Sequence, residues 1–317
     1  MSVYLLTGAG FSRNWGGWLA NEAFEYLIGT DHVHPRVRSL LWQHKDKGGF
    51  EAVYQLLKDG ASNPVDLEVF RSFHMMVTGM FHQMGHGFRQ ADFGASLLNF
   101  LTSFDAIFTL NQDTLMEARY PQGEDHRARS HGKFIGWETP GLRVAKMNEF
   151  IVEGFYYIDE PPYSRREKFQ PYFKLHGSSN WTQSNSNDLM LIIGGNKAAE
   201  IERQPLLKWY HQQFQEMIAG SQLVIIGYRF NDDHINERLA RAVSQGTRLF
   251  IIDPSGVDII DKRIKAPGII PQPITPLMES LMNAVDGASR RDLVRTFSGD
   301  NIERSKIEHF TTRDSRK

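Results

Sequence analysis

Four short stretches carry the residue types that could do chemistry. In the first, Val3-Tyr4-Leu5-Leu6-Thr7 runs into Gly8-Ala9-Gly10-Phe11-Ser12, and helical spacing follows. Glycine lets a backbone turn tightly and approach a ligand, and a helix start offers free N–H groups and the positive end of a dipole. Gly8, Ala9, Gly10 and Ser12 are therefore expected to hold a pyrophosphate. Arg13 stands where a dinucleotide fingerprint would place its third glycine, and the sequence has no GxxxxGK[ST] phosphate loop. That counts against ATP hydrolysis by this turn. An ordinary strand–helix turn is the competing reading.

The second stretch is Phe108-Thr109-Leu110-Asn111-Gln112-Asp113, at the end of another strand-like run. Ligands of open α/β sheets bind outside the carboxyl ends of strands, so Asn111 and Asp113 would face the same crevice as the glycine turn. Asn111 could instead close a turn, and Asp113 could cap the helix that holds Leu115 and Met116. The third stretch is Phe173-Lys174-Leu175-His176-Gly177-Ser178-Ser179-Asn180-Trp181. His176 lies where its strand gives out, and a histidine there can act as a base near neutral pH. The chain holds 12 histidines, so most must do other things. The fourth, Leu223-Val224-Ile225-Ile226-Gly227-Tyr228, ends at a glycine that would admit a second phosphate or a ribose beside Gly227 and Tyr228. Asp253, after Ile251-Ile252, could hold a ribose hydroxyl or cap a loop.

These residues need a frame. Val3–Thr7, Asp105–Leu110, Tyr172–Leu175, Leu189–Ile193, Leu223–Ile226 and Arg248–Ile252 are short apolar runs bounded by Gly, Asn or Asp, as buried strands of a mostly parallel sheet are. Helical spacing lies between them: Leu19, Ala23, Tyr26 and Leu27 in one segment, Ile235, Leu239, Ala242 and Val243 in another, with Asp232 as expected N-cap and Gly246 as stop. The alternation predicts an α/β fold, a Rossmann-like, mostly parallel sheet. A helical insertion is expected at about 31–104, broken at Gly48-Gly49, Asn63-Pro64 and Gly85–Gly87, and a smaller cap insertion at about 119–170, with a hairpin at Phe150–Ile158. The Rossmann-like domain would then span 1–260. Residues 261–317 would form a C-terminal extension, helical at Leu277–Val285 and Arg290–Phe297 and partly disordered from Asp300.

Composition narrows the classes. The chain has 317 residues, 36 Lys+Arg and 37 Asp+Glu, for a formal net charge of −1, so no cation excess favours binding to phosphate backbones. It has no cysteine, which excludes disulfides, thiol nucleophiles, iron–sulfur clusters and cysteine-type zinc sites. The N-terminus reads as a strand rather than a signal peptide, and no apolar run is long enough to span a bilayer, so a cytoplasmic protein without a membrane or nucleic-acid partner is expected. His82 and His86 stand at i, i+4 near His74, but the Glu of HExxH is missing and Gly85 weakens the helix, so no metal is expected there. Arg127-Ala128-Arg129 and Arg165-Arg166 read as solvated basic loops.

Together and in this order, Gly-Ala-Gly-Phe-Ser (8–12), Thr-Leu-Asn-Gln-Asp (109–113), Leu-His-Gly (175–177) and Ile-Ile-Gly-Tyr (225–228) resemble the sirtuin superfamily. The closer likeness is to its bacterial sirtuin-like branch, in which Leu-His-Gly-Ser-x-Asn-Trp and Ile-Gly-Tyr-x-Phe-x-Asp recur, here Leu175–Trp181 and Ile226–Asp232. Deacetylating sirtuins carry a four-cysteine zinc ribbon after the catalytic histidine, which this chain lacks, and Gly177 leads into Ser178-Ser179-Asn180-Trp181 instead of an acylated-peptide segment.

The resemblance implies NAD as substrate without a metal, and hydrolysis of its nicotinamide–ribose bond to ADP-ribose and nicotinamide. In that branch the activity commonly serves as the killing effector of anti-phage defence. By the family pattern, Asn111 positions nicotinamide, ribose or water, Asp113 binds the nicotinamide side, and His176 is the base. Trp15 and Trp18 could cover the nicotinamide or pack under the helical insertion. A homo-oligomer is expected, working beside a partner such as a HerA-type ATPase or a short Argonaute. Docking would use the helical insertion and the tail after Asp300. The alternative is an NAD- or ADP-ribose-binding regulatory subunit without turnover of its own.

Overall fold

In a computed structural model, which describes residues 1–31, 33–120, 133–147, 150–183, 189–261 and 273–312, strand β1 (Val3–Thr7) is buried at every position. Its side chains alternate between two cores: Leu5 joins a cluster with Phe73, Val77 and Leu97, while Tyr4 and Leu6 join Phe108, Phe173 and Phe214. A strand covered on both faces must read as continuous apolar residues, which is why it was legible. Helices α1 (Ala9–Arg13) and α2 (Ala20–Gly29) follow, then α3 (Pro35–His44), α4 (Gly49–Asp59), α5 (Pro64–Phe88) and α6 (Gly94–Thr102). These last four occupy the stretch expected to be inserted. The break expected at Gly85–Gly87 is absent: α5 runs to Phe88, because Met84 and Phe88 on its inner face are buried and hold the turn helical.

Strand β2 (Ala106–Thr109) leads to α7 (Leu115–Arg119), β3 (Gly136–Glu138), β4 (Leu142–Met147), β5 (Phe150–Ile158), β6 (Phe169–Lys174), β7 (Gly177–Gln183) and β8 (Leu189–Leu191). Helices α8 (Lys197–Arg203) and α9 (Pro205–Ile218) precede β9 (Gln222–Ile226), α10 (Asp233–Ser244) and β10 (Arg248–Ile252). A short 3-10 helix (Gly256–Ile259), α11 (Pro276–Asn283), β11 (Val285–Ser289), α12 (Leu293–Ser298) and α13 (Asn301–Thr312) complete the described chain.

Seven strands form one parallel sheet in the order β11-β10-β9-β1-β2-β6-β3. The expected α/β class is the observed one. From β1 the chain moves first to β2 on one side and later to β9 on the other. The carboxyl end of β1 is therefore a switch point, where such sheets open a crevice. A second sheet, β4-β5-β7-β8, is mixed.

Several local expectations give way to tertiary packing. Phe150–Ile158 is one strand, antiparallel to β4, and Gly154 at φ +82 lies inside it opposite a register shift, so the glycine marks a bulge and not a turn. Leu189–Leu191 pairs antiparallel with β7 in the second sheet, since β8 follows β7 too closely for the crossover a parallel neighbour needs. Val285 begins a strand and does not end a helix. The run Val285-Asp286-Gly287-Ala288-Ser289 has little strand character, but it pairs with β10, and Gly287 makes room for the Phe250 ring. The stretch from Asp300 is ordered as α13 through Thr312, anchored by buried Ile307 and Phe310. Residues 313–317 and the Arg127–Arg129 run lie outside the described residues.

Candidate active site

Two loops meet at the carboxyl ends of β1 and β9. Gly8 N–H donates to the Ile226 carbonyl (2.9 Å) and Gly10 N–H to the Gly227 carbonyl (3.0 Å). A Cβ on Gly10 would lie 2.7 Å from Gly227 Cα, and Gly227 itself takes φ +62 with its would-be Cβ 2.4 Å from the Gly10 carbonyl carbon. These glycines are thus required by the approach of one loop to the other. The sequence pattern had suggested the approach of a ligand.

Asn111 leaves the end of β2, its N–H on the Thr109 hydroxyl (3.0 Å) and its side-chain amide donating to the Ser12 hydroxyl (3.0 Å). Ser12 is 2% exposed and stays outside the cavity wall, so it meets Asn111 from behind. Asp113 makes the expected local turn, accepting from Leu115 N–H at 3.0 Å, while its carbonyl takes the Lys174 ammonium at 2.5 Å. Lys174, fully buried, also pairs with Glu117 at 2.7 Å. A buried ion pair therefore lies directly beneath the Asn111–Asp113 loop.

Gln112 ties that loop to the next: its side chain donates to the His176 carbonyl (3.1 Å) and to the Ile192 carbonyl (2.7 Å). The backbone then turns at Gly177, φ +74, where a Cβ would strike the Met190 carbonyl. The His176 ring, 3% exposed, places Nε2 3.0 Å from Nε2 of His234. Burial, with the Lys197 ammonium adding to it, holds His176 well below the usual histidine range. Burial likewise pulls His234 down to about 4 and His211 to about 3. His211 shares a hydrogen bond with the Leu175 carbonyl at 2.9 Å and lies with its ring 5.7 Å from that of His234.

Lys197 joins α8 to the helical layer and to α10: its ammonium lies 2.8 Å from Asp232 Oδ1 and 3.0 Å from Glu51 Oε2. Asp232 does occupy the N-cap position, but its carboxylate is turned to Lys197 and its carbonyl takes the Ile235 and Asn236 N–H groups. His176, Asp232 and His234 could each offer an atom to a metal, all within 4.8 Å of one another. The ammonium of Lys197 already supplies the cation that Asp232 balances, and a divalent ion would be pressed against it. Among the described residues this is one grouping of residue types suited to a metal, with the Lys197 ammonium set against its carboxylate.

The Asn111–Asp113 loop, His176, His234, Asp232 and Lys197 open into one cavity of ≈ 1200 Å³. Gly8, Ala9 and Gly10 reach it from β1, Asn111 and Asp113 from β2, and His176 from β6. Gly227, Tyr228 and Asp253 line it from β9 and β10. The Tyr228 hydroxyl is used internally, donating to Asn236 Oδ1 (2.9 Å), and Asp253 Oδ1 accepts from Ser255 N–H (2.8 Å), the loop-capping role. Sequence reasoning passed over Lys197, His234 and the arginines Arg13, Arg229 and Arg291, which also line the cavity. Arg229 was findable, a cation inside the Gly-Tyr motif; it is exposed and has no ion pair among the described residues.

Trp18 lines the cavity, whereas Trp15 packs on Phe93 with ring centres 4.5 Å apart. His82 lies against Phe155, and His74 shares a hydrogen bond with the Tyr54 hydroxyl at 2.7 Å. Arg166 is paired with Glu138 at 2.7 Å.

Residues 105–271 match the family described as SIR2-like domain. No curated protein matches the chain. Among solved structures, a Sir2 homologue in complex with NAD is similar at 15% identity and TM-score 0.41, covering 98% of this chain and 90% of that one. A mutant Sir2 homologue in complex with ADP-ribose is similar at 14% identity and TM-score 0.39, with 99% and 95% covered.

Proposed function

The chain belongs to the SIR2-like domain family, and on that basis we propose that it is an NAD glycohydrolase releasing nicotinamide and ADP-ribose. The observation that carries this reading is convergence: Asn111, the His176–His234 pair and the two glycine loops all open into one cavity at the switch point of the sheet. In NAD the leaving nicotinamide is cationic while bonded and neutral once it departs with the bonding electron pair. No general acid is needed, unlike ordinary glycoside cleavage with its two carboxylates. The site must orient the ribose, tolerate an oxocarbenium-like centre and take one proton from water. The sum is NAD⁺ and water giving ADP-ribose, nicotinamide and one proton.

Residues divide accordingly. Asn111, held by Ser12, positions ribose or water, Asp113 faces the nicotinamide side, and the imidazole pair accepts the proton. The pyrophosphate would lie along Gly8, Ala9 and Gly10. The N–H groups of Gly8 and Gly10 are already used by Ile226 and Gly227, so Arg229 is the better source of charge for it. Asp253 would meet a ribose hydroxyl with the oxygen it does not spend on Ser255. Gly227 and Tyr228 shape the adjoining loop. The absence of any cysteine speaks against a deacetylase of the zinc-ribbon kind.

The likeness of Leu175–Trp181 and Ile226–Asp232 to the bacterial sirtuin-like branch supports a role as an NAD-depleting anti-phage effector in the cytoplasm. It supports, too, a homo-oligomer working beside a HerA-type ATPase or a short Argonaute. No helix among the described residues is long and apolar enough to cross a membrane.

The test is direct. Purified protein is incubated with NAD and the products resolved by chromatography, beside Asn111→Ala and His176→Ala. Release of nicotinamide and linear ADP-ribose by the wild type, cut at least about 100-fold in both variants, is the expected result. No release, together with no heat of NAD binding in calorimetry, would overturn the assignment.

A further inference from the structure

Strand pairing between β2 and β6 stops short of Asn111 and His176. The ladder's last residue pair is Thr109 with Lys174, and the last backbone bond runs from Leu175 N–H to the Thr109 carbonyl (2.8 Å). Asn111 and His176 both lie past that point, so the sheet does not fix one against the other. The residue beside Asn111 spans the gap. Gln112 Nε2 donates to the carbonyls of His176 (3.1 Å) and Ile192 (2.7 Å), and the Gln112 carbonyl accepts from Ser179 N–H (3.0 Å). Carbonyls only accept, so only the NH2 end of the amide can face both of them; a flipped amide would set oxygen against oxygen. Its two N–H groups match the two acceptors in number. The His176 carbonyl also accepts from Ile192 N–H (3.1 Å), which fills its second lone pair and holds that peptide from two sides. One side chain thereby ties the end of β2 to the junction of β6 with β7 and to the residue that follows β8, across two different sheets.

We propose that Gln112 is a positioning residue for the reaction: its side-chain amide sets the distance and orientation of His176 relative to Asn111. This rests on the NAD hydrolase reading above. Ser12 holds the Asn111 amide from the β1 side, and Gln112 holds the neighbouring loop to the His176 peptide, so the two act on different coordinates of the same site. Gln112 acts through Asn111 and His176, and the remainder of the cavity wall, from the Gly8–Gly10 turn to Asp253, is independent of it. Its loss should therefore disturb the chemical step more than the binding of NAD. Reaction geometry is demanding enough that a displacement of about 1 Å can cost about 100-fold in rate.

Two measurements on the full chain decide the matter. Gln112→Met keeps the length and bulk of the side chain and removes both donors. Thr247→Val is the comparison, since it deletes another buried hydrogen bond, from Thr247 Oγ1 to the Ile218 carbonyl (2.6 Å), away from the cavity wall. First, nicotinamide release is measured per folded molecule, with the folded fraction taken from urea titrations. Gln112→Met should lose about 100-fold in kcat with KM within about threefold of wild type, and Thr247→Val should keep the wild-type kcat. A Gln112→Met kcat within about threefold of wild type, or a loss matched by Thr247→Val, would overturn the proposal. Second, carbon–proton spectra of the histidine rings are recorded, with the His176 signal assigned from His176→Ala. That signal should shift in Gln112→Met and stay in place in Thr247→Val. An unmoved His176 signal in Gln112→Met would overturn the proposal as well. The spectra need no turnover, so a wild type that releases no nicotinamide would sink the hydrolase reading while the hold of Gln112 on His176 is still decided.

Discussion

The side-chain amide of Asn111 donates to the hydroxyl of Ser12 over 3.0 Å, across 99 residues of chain. The amide's orientation is thereby set by Ser12 at the wall of the cavity that Asn111 lines. Ser12→Ala should cost about 1 kcal/mol of stability, the usual net worth of one hydrogen bond. Turnover should fall by about tenfold, as a freed Asn111 samples other rotamers. Nicotinamide release and urea midpoints on one preparation check both, and unchanged turnover would remove Ser12 from the positioning of Asn111.

Gly227 tests why the loops are glycine-rich. Gly227→Ala must adopt φ +62 and drive its Cβ to 2.4 Å from backbone, so it should lose about 3 kcal/mol and much of the ligand affinity. Gly246→Ala is the control, because Gly246 has φ +95 with nothing within 4 Å. Its cost should be about 1 kcal/mol, for backbone strain alone. Chemical denaturation of the two variants separates the clash from the strain.

The pair of Lys174 and Glu117, 2.7 Å apart and both buried, holds up the Asn111–Asp113 loop through the Asp113 carbonyl. Lys174→Met strands a buried carboxylate and should destabilise by about 3–5 kcal/mol. Adding Glu117→Leu removes the stranded charge and should recover most of that. Stability regained without activity would show that Lys174 is needed for the loop's position; full recovery of both would remove it from the site.

Acid should weaken the fold through the histidine cluster. His211 is held at about 3 and His234 at about 4 by burial, against about 6.5 in an unfolded chain. Below pH 6.5 the unfolded state binds the extra protons, so stability falls as pH drops from about 6.5 toward 4 and is fully present above that window. Each such group contributes at most about 1.4 kcal/mol per pH unit. Urea midpoints at pH 7, 6 and 5 should decline, and His211→Phe should flatten the decline. An unchanged slope would mean that His211 is not held neutral by the fold.

Much of this protein was written locally. β1, β2, β6, β9 and β10 are apolar runs because both faces of the sheet are covered, and the polar residues that end them, Asn111 and His176 among them, had to emerge at one edge. Composition by itself excluded cysteine chemistry. What local patterning did not carry was set by contacts between distant segments. The weak strand β11 exists because β10 needed a neighbour, and Ser12 faces inward because Asn111 needed a partner. The glycines of the first and fourth stretches answer to each other. His234 meets His176, and Lys197 meets Asp232, only when α8, α10 and the end of β6 are packed together. A side chain's type is in the sequence; which partner it meets depends on which distant segments the folded chain brings to the same place.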